Sequence, residues 1–352
     1  MEARNVSGAR SGAILGAASG TSVVAAYVFL LAAGRILGSD DYGSLAALLG
    51  LLALVLIPAG ALQMAVAREI SRHVATGDSA GAGRLARGTL RLSVLATVPL
   101  LVVAFALAAP LSGLLNIHSV GLVALAVATL STALVFPVAM GVLQGLQRFS
   151  GLASLYIFPW VVRIAVLLAL AALGYRLGGA LVATVVSAIA AMGLSLFLIR
   201  NLLAGSGSLA RDELREFLSY LKPVAVGLVG IALLTHVDVL VVKARFSADD
   251  AGAYAAASAF ARVGFFLPAT ILAVLFPRTA ARQARGEETK DILGRSLLAT
   301  IVFCGALALA YEATGRGLVT LTFGRDFAHG GDVLAPYALA IGLFSIANVL
   351  VG

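Results

Sequence analysis

Ten apolar runs, most of them about the length needed to cross a bilayer, fill most of this 352-residue chain. A membrane-spanning helix takes about 20 mostly apolar residues. The runs are 12–34, 44–67, 92–115, 120–143, 152–174, 177–199, 223–242, 252–276, 296–311 and 333–352, of which the ninth is the shortest. Hydrophobic residues make up 61% of the chain and charged residues 12%, with a mean hydropathy of +1.02, which excludes a soluble globular protein. Period-two alternation is absent, so the pattern is not that of a β-barrel. The predicted class is an all-α integral membrane protein.

The first run is longer than the apolar core of a signal peptide, about 7–15 residues, and reads as a retained helix. The single cysteine, Cys304, excludes an internal disulfide and reads as a small packing residue. The 38 glycines suit close helix packing in lipid, where small residues let backbones approach, although a GC-rich genome would enrich them too.

The loops alternate in charge. With the N-terminus placed in the cytoplasm, 17 of the 25 Lys and Arg residues fall inside and 6 outside; Arg163 and Arg262 lie within spans. This asymmetry favours that orientation. The net charge of +8 then reads as topology and contact with anionic lipid. The basic residues sit in separate short loops, with no folded domain to present them to nucleic acid.

The chain also echoes itself. Ser39-Asp40-Asp41-Tyr42-Gly43 recurs as Ala248-Asp249-Asp250-Ala251-Gly252, and Pro58, Arg68 and Arg72 recur as Pro268, Arg278 and Arg282. A membrane protein built of two similar halves is most often a transporter. The predicted lobes are 1–199, with six spans, and 223–352, with four. Two helices are missing from the second lobe if the repeat is real, so the chain reads as shortened. Between the lobes, 200–222 begins with the flexible Gly205-Ser206-Gly207-Ser208. Leu209, Leu214, Phe217, Leu218 and Leu221 then recur at helical spacing, which predicts an amphipathic connector lying on the cytoplasmic face. A partner-docking helix is the other reading.

Enzymatic signatures are lacking: no Cys/His cluster, no Gly-x-Ser-x-Gly, and no phosphate-binding Gly-Lys-Ser/Thr loop. The pairs Asp40/Asp41 and Asp249/Asp250 each precede a span, where they are expected to cap a helix rather than to catalyse or bind a cation. Charges inside spans are costly, about 2.5–3.5 kcal/mol on insertion scales, and usually face a cavity or a partner. Arg163 lies mid-span beside Trp160, Arg262 lies mid-span in the second lobe, and Arg35 ends the first span. Guanidinium forks suit phosphate. These three arginines are the candidate substrate contacts, for a pyrophosphate headgroup in a central cationic cavity. The competing reading for Arg262 is an ion pair with Asp238 or a helix-end contact. Asp238 and His236 are the candidate coupling-ion site, for Na⁺ or H⁺; the plainer reading of His236 is a packed, hydrogen-bonded side chain. Trp160 and Tyr156 read as packing residues before sugar-stacking ones. Pro58, Pro137, Pro159 and Pro268 are candidate kinks. No cofactor or metal site is expected.

Several segments resemble the Wzx-type polysaccharide flippases of the multidrug/oligosaccharidyl-lipid/polysaccharide (MOP) exporter superfamily. They are the loop Arg35-Ile36-Leu37-Gly38-Ser39-Asp40-Asp41-Tyr42-Gly43, then Arg68-Glu69-Ile70-Ser71-Arg72, Gln144-Gly145-Leu146-Gln147-Arg148-Phe149, Ala251-Gly252-Ala253-Tyr254-Ala255-Ala256, Leu275-Phe276-Pro277-Arg278 and Phe323-Gly324-Arg325-Asp326-Phe327. The resemblance implies a MATE-like fold of two lobes around a central cavity in a bacterial inner membrane. It implies movement of undecaprenyl-pyrophosphate-linked saccharide to the outer leaflet, without covalent chemistry. The implied partners are that lipid-linked substrate, membrane lipids and polysaccharide polymerase machinery. Family members commonly carry 12 to 14 helices, more than the ten runs here. A multidrug or cation antiporter and a lipid II flippase are the rival transport readings. A membrane-embedded glycosyltransferase or ligase is the enzymatic rival, but the longest outside loop, 312–332, has no catalytic cluster.

Overall fold

In the computed structural model, the described backbone covers residues 2–203, 211–262 and 290–351. All regular structure among these residues is helical, and 8 helices are long and apolar enough to cross a membrane. The first candidate span, Gly12–Ala75, is 64 residues long. Straight, it would extend about 96 Å, three times the hydrocarbon core. Gly38 breaks the parent helix α1 (Glu2–Ala75) with φ 75° and ψ 175°, a conformation essentially reserved for glycine. The two arms fold back on each other: Leu15 from the first packs against a cluster holding Ala65, Val66 and Ile70 from the second. The first two predicted spans are thus the arms of one hairpin.

After a turn at Gly77 (φ 74°), Asp78 caps α2 (Ser79–Ala106), its carboxylate accepting the Gly81 amide at 2.7 Å. That hydrogen bond holds the Asp78 carboxyl below its usual range. A short α3 (Ala108–Leu114) completes the pass. The next pass is composite: α4 (Val120–Ala128), a 3₁₀ turn (Thr129–Thr132) and α5 (Val135–Gly145). Pro137 has no N–H to give the residue four back and its ring crowds that carbonyl, which explains a tightened turn just upstream. Thr129, Leu130 and Thr132 are buried, as irregular backbone in a membrane must be. Gly141 and Gly145 of α5 bring that helix against the second arm of α1. A Cβ at Gly141 would lie 2.6 Å from the Gln63 carbonyl, and one at Gly145 2.6 Å from Ile70 Cβ.

α6 (Phe149–Ala172) and α7 (Leu177–Leu203) form a hairpin through Gly174, and α8 spans Arg211–Arg245. Among its described residues, the connector predicted over 200–222 does not form a separate surface helix. Residues from 211 onward are the first turns of α8, and Phe217 is 4% exposed in the α1/α2/α5 cluster, with Leu218, Tyr220 and Leu221 packed beside it. Charge pairing holds this end in place. Arg72 bridges Glu69 and Glu216, both at 2.8 Å, and Arg68 lies 4.6 Å from the centre of the Tyr220 ring.

The structure packs as two units, Met1–Ile36 with Ser44–Arg245, and Leu37–Gly43 with Phe246–Gly352. The seventh span therefore belongs with the first unit. In the second unit, α9 (Ala248–Ala261) is followed by α10 (Lys290–Thr322), a 3₁₀ turn (Arg325–Gly330) and α11 (Gly331–Val351). The ninth run is thus part of a 33-residue helix, and the expected outside loop 312–332 is mostly helical. Its far end is tied by Arg316, which donates to Asp332 at 2.7 Å. The two copies of the acidic turn meet in this unit. A Cβ on Gly43 would fall 2.8 Å from the Gly252 nitrogen, and one on Gly252 would collide with the Ser39 carbonyl. Tyr42, 1% exposed, stands edge-on to Phe323 and Phe327 at 5.3 and 5.6 Å.

Val94, Leu95, Val98, Val102 and Leu339 are among many large apolar side chains that face outward. Such a surface suits lipid and not water.

Candidate functional site

Arg163 lies on α6, 14 residues from its start and 9 from its end, so about 21 and 13 Å from the two. Trp160, one turn earlier, shares its face. The Arg163 guanidinium carbon is 4.8 Å from the centre of the Trp160 ring and 5.5 Å from that of Phe29 on the first arm of α1. Its Nε–H donates to Ser187 Oγ on α7 at 3.0 Å. Ser187 is fully buried and donates in turn to the Thr184 carbonyl at 2.9 Å, so its oxygen is fixed. The Trp160 indole is fixed too, donating to Ser22 Oγ at 2.7 Å.

Three helices thus hold one cation from two aromatic rings and one hydroxyl. Among the described residues no carboxylate pairs with Arg163. Its Nε–H is committed to Ser187, and the planar group carries two further nitrogens as donors. Aromatic faces and neutral hydroxyls stabilise the charge without cancelling it. The arrangement suits an anion with two adjacent oxygens.

The other predicted site residues are more scattered. Arg35 is exposed, three residues before the Gly38 break. His236 and Asp238 are half-buried on α8, in the first unit with Arg35 and Arg163. His236 Nδ1 lies 2.8 Å from Thr235 Oγ1, and its backbone packs beside Gly50. Arg262 is in the second unit, half-buried, as the C-cap residue of α9, where a cation meets the negative end of the helix dipole. Asp249 and Asp250 occupy the first turn of that helix. Ser247 Oγ accepts the Asp250 amide at 3.1 Å and donates to its carboxylate at 2.6 Å, so the cap is Ser247 rather than an aspartate, and the acidic pair lies at the positive end of the helix dipole. Asp40 and Asp41 follow the break at Gly38 by two and three residues. No cluster that could hold a metal occurs among the described residues. Pro268, Arg278 and Arg282, the second half of the repeat, lie outside the described residues.

Phe29, Ser22 and Ser187 are not legible as site residues in the sequence, since a phenylalanine or a serine in an apolar span is ordinary. Lys243, which lies just past the seventh apolar run, is in the last turns of α8 and 3% exposed.

Helical hairpins in two units, apolar outward, with a mid-span arginine held inside the first, define an integral membrane protein. Solved structures share this fold. An inward-facing multidrug resistance MATE family transporter of the MOP superfamily aligns over 91% of this chain and 82% of its own, at 15% identity and a TM-score of 0.66. A eukaryotic MATE transporter, AtDTX14, aligns over 96% and 79%, at 14% identity and 0.63. A MOP superfamily transporter from Pyrococcus furiosus, described as having a binding pocket of reverse polarity that suggests a different function, aligns over 96% and 95%, at 14% identity and 0.57. No curated protein matches the chain in sequence. The family described as "Polysaccharide biosynthesis protein" matches residues 9–283, and the chain belongs to that family. It is a multi-pass membrane protein with the MOP-superfamily fold, and its structural neighbours are transporters rather than enzymes.

Proposed function

We propose that this protein moves a pyrophosphate-linked, lipid-anchored saccharide across a bacterial plasma membrane by alternating access, in the service of cell-surface polysaccharide synthesis. The observation that carries this reading is the Arg163 fork, a mid-span cation with a positioned Nε, two aromatic supports and no carboxylate partner among the described residues. In a member of a polysaccharide biosynthesis family, a phosphate-bearing headgroup is the anion such a fork suits. The lipid tail stays in the bilayer while the polar head crosses, so no bond is made or broken. Arg262 is the proposed contact of the second unit and Arg35 an outer one. Asp238 and His236 are the proposed coupling-ion residues. The charge asymmetry of the loops supports a cytoplasmic N-terminus. Polysaccharide polymerase machinery is the proposed partner.

The test is transbilayer movement of a fluorescent undecaprenyl-pyrophosphate saccharide in proteoliposomes. Arg163→Ala is expected to slow it roughly tenfold or more, the scale of one charge-assisted hydrogen bond in a low-dielectric site. Arg163→Lys, which keeps the charge but not the fork, is expected to recover only part. Full activity in folded Arg163→Ala, or export of a cationic dye with no lipid movement, overturns the proposal.

A further inference from the structure

A second basic feature lies in the first unit beside the Gly77 turn. The first two turns of α2 and the last turn of α7 enclose a cavity of about 410 Å³ lined by Ser79, Gly83, Arg84, Arg87, Asn201 and Leu202. Arg87 Nη1 donates to the Leu202 carbonyl at 2.8 Å, which pins its guanidinium to the cavity wall. Gly83 leaves the room for this: a Cβ there would stand 3.1 Å from that nitrogen. Arg84 lies beside it, 3.8 Å from the Asp78 carboxylate, which is already engaged in capping α2. Two arginines, a serine and an asparagine therefore line one open space, with the Asp78 carboxylate beside Arg84.

The depth of the cavity says what kind of anion it meets. Five residues after Arg87, about 7.5 Å along the helix, α2 begins an outward apolar stripe of Leu92, Val94, Leu95, Val98 and Val102. On α7, Phe197 is likewise exposed one turn before Asn201, and the Arg200 guanidinium sits 3.9 Å from the centre of its ring. Lipid-facing hydrocarbon thus gives way to arginine at the same level on both helices. That level is where phospholipid phosphates lie, and basic pockets between membrane helices take anionic headgroups.

We propose that this cavity binds the phosphate of an anionic phospholipid, with Arg84 and Arg87 as its donors and the acyl chains lying along the α2 stripe. The site is separate from Arg163 and independent of what the protein transports. Free inorganic phosphate shares the recognised chemistry but has no use for the apolar wall.

The test uses the full chain in detergent, with phosphatidylglycerol, phosphatidylcholine and inorganic phosphate as probes, read by native mass spectrometry and thermal unfolding. Phosphatidylglycerol is expected to stay bound and raise the unfolding midpoint, and the other two are not. Arg84→Gln with Arg87→Gln is expected to bind it roughly tenfold more weakly, while Arg148→Gln, a basic residue elsewhere on the first unit, leaves it unchanged. Equal binding in the double variant overturns the site, and phosphate binding as tightly as the lipid overturns the lipid assignment. Should the double variant not fold, a headgroup-photoactivatable phosphatidylglycerol on the unaltered protein decides. Crosslinks to 79–91 and 197–203 support the site, and crosslinks elsewhere overturn it.

Discussion

Gly252→Ala tests whether the two acidic turns meet as closely as the structure places them. The added methyl would overlap the carbonyl oxygen of Ser39, lie 2.6 Å from its carbonyl carbon and 2.8 Å from its Cα. All three are backbone atoms, so no side chain can swing aside, and one of the two segments must move by roughly an ångström to reach van der Waals contact. Overpacking of this kind costs about 1–3 kcal/mol, and rigid backbone on the far side puts the cost at the upper end. Alanine recovers about 1 kcal/mol as the better helix former, leaving a net loss of about 2 kcal/mol. Gly193→Ala is the matched control, because a Cβ there meets nothing within 4 Å and the same helix gain applies unopposed. Thermal unfolding of the detergent-solubilised protein should therefore place Gly252→Ala several degrees below the native protein, and Gly193→Ala level with it or slightly above. Equal midpoints for the two variants would show that the turns do not touch as described.

Gly38→Ala should cost about 1–3 kcal/mol, because φ 75° with ψ 175° is a region that alanine avoids; the same melt reads it. Asp78→Ala should lower the midpoint at neutral pH. Since the Asp78 carboxyl is held below its usual range, its contribution is present above the ordinary carboxylate pKa and fades as pH falls through the lowered value, so the gap to the native protein should close in acid. Gly145→Val should disrupt α5 packing, since Ile70 already fills the space a side chain would need, and a drop in yield or midpoint relative to Gly113→Val would show it.

Much of the fold was legible because a bilayer leaves few choices: an apolar run of about 20 residues is a helix wherever it falls. Boundaries were harder, because hydropathy marks where a chain leaves the hydrocarbon and not where the helix stops. The ninth run looked short because Glu312 and Arg316 interrupt its apolar pattern, yet both lie within one helix that continues to Thr322. The same error, reversed, made a separate connector out of the first turns of α8. Charged residues there suggested a surface, while Phe217 goes into the core and Glu216 binds Arg72. Likewise, the glycine pair Gly43 and Gly252 was visible as a repeat, but that the copies touch is a tertiary fact no spacing carries.

The site divides along similar lines. Arg163 stood out in sequence because a mid-span arginine is expensive and must be supported. What supports it did not, since Phe29 and Ser187 lie 134 and 24 residues away on other helices and are unremarkable in type. The nature of that support is what gives the arginine a chemical direction. A carboxylate at Nε would have made it a structural pair, self-sufficient and closed to ligands. A buried serine accepts one hydrogen bond and adds no negative charge, and two rings stabilise the cation by their faces alone. The positive charge is therefore positioned but not neutralised, and replacing Ser187 should separate these roles. Ser187→Asp would place a carboxylate about 3 Å from the guanidinium, close the ion pair and block transport. Ser187→Ala would leave the charge in place, loosen its aim, and reduce transport more modestly. If Ser187→Asp transported normally, Arg163 would be structural and the anion would bind elsewhere.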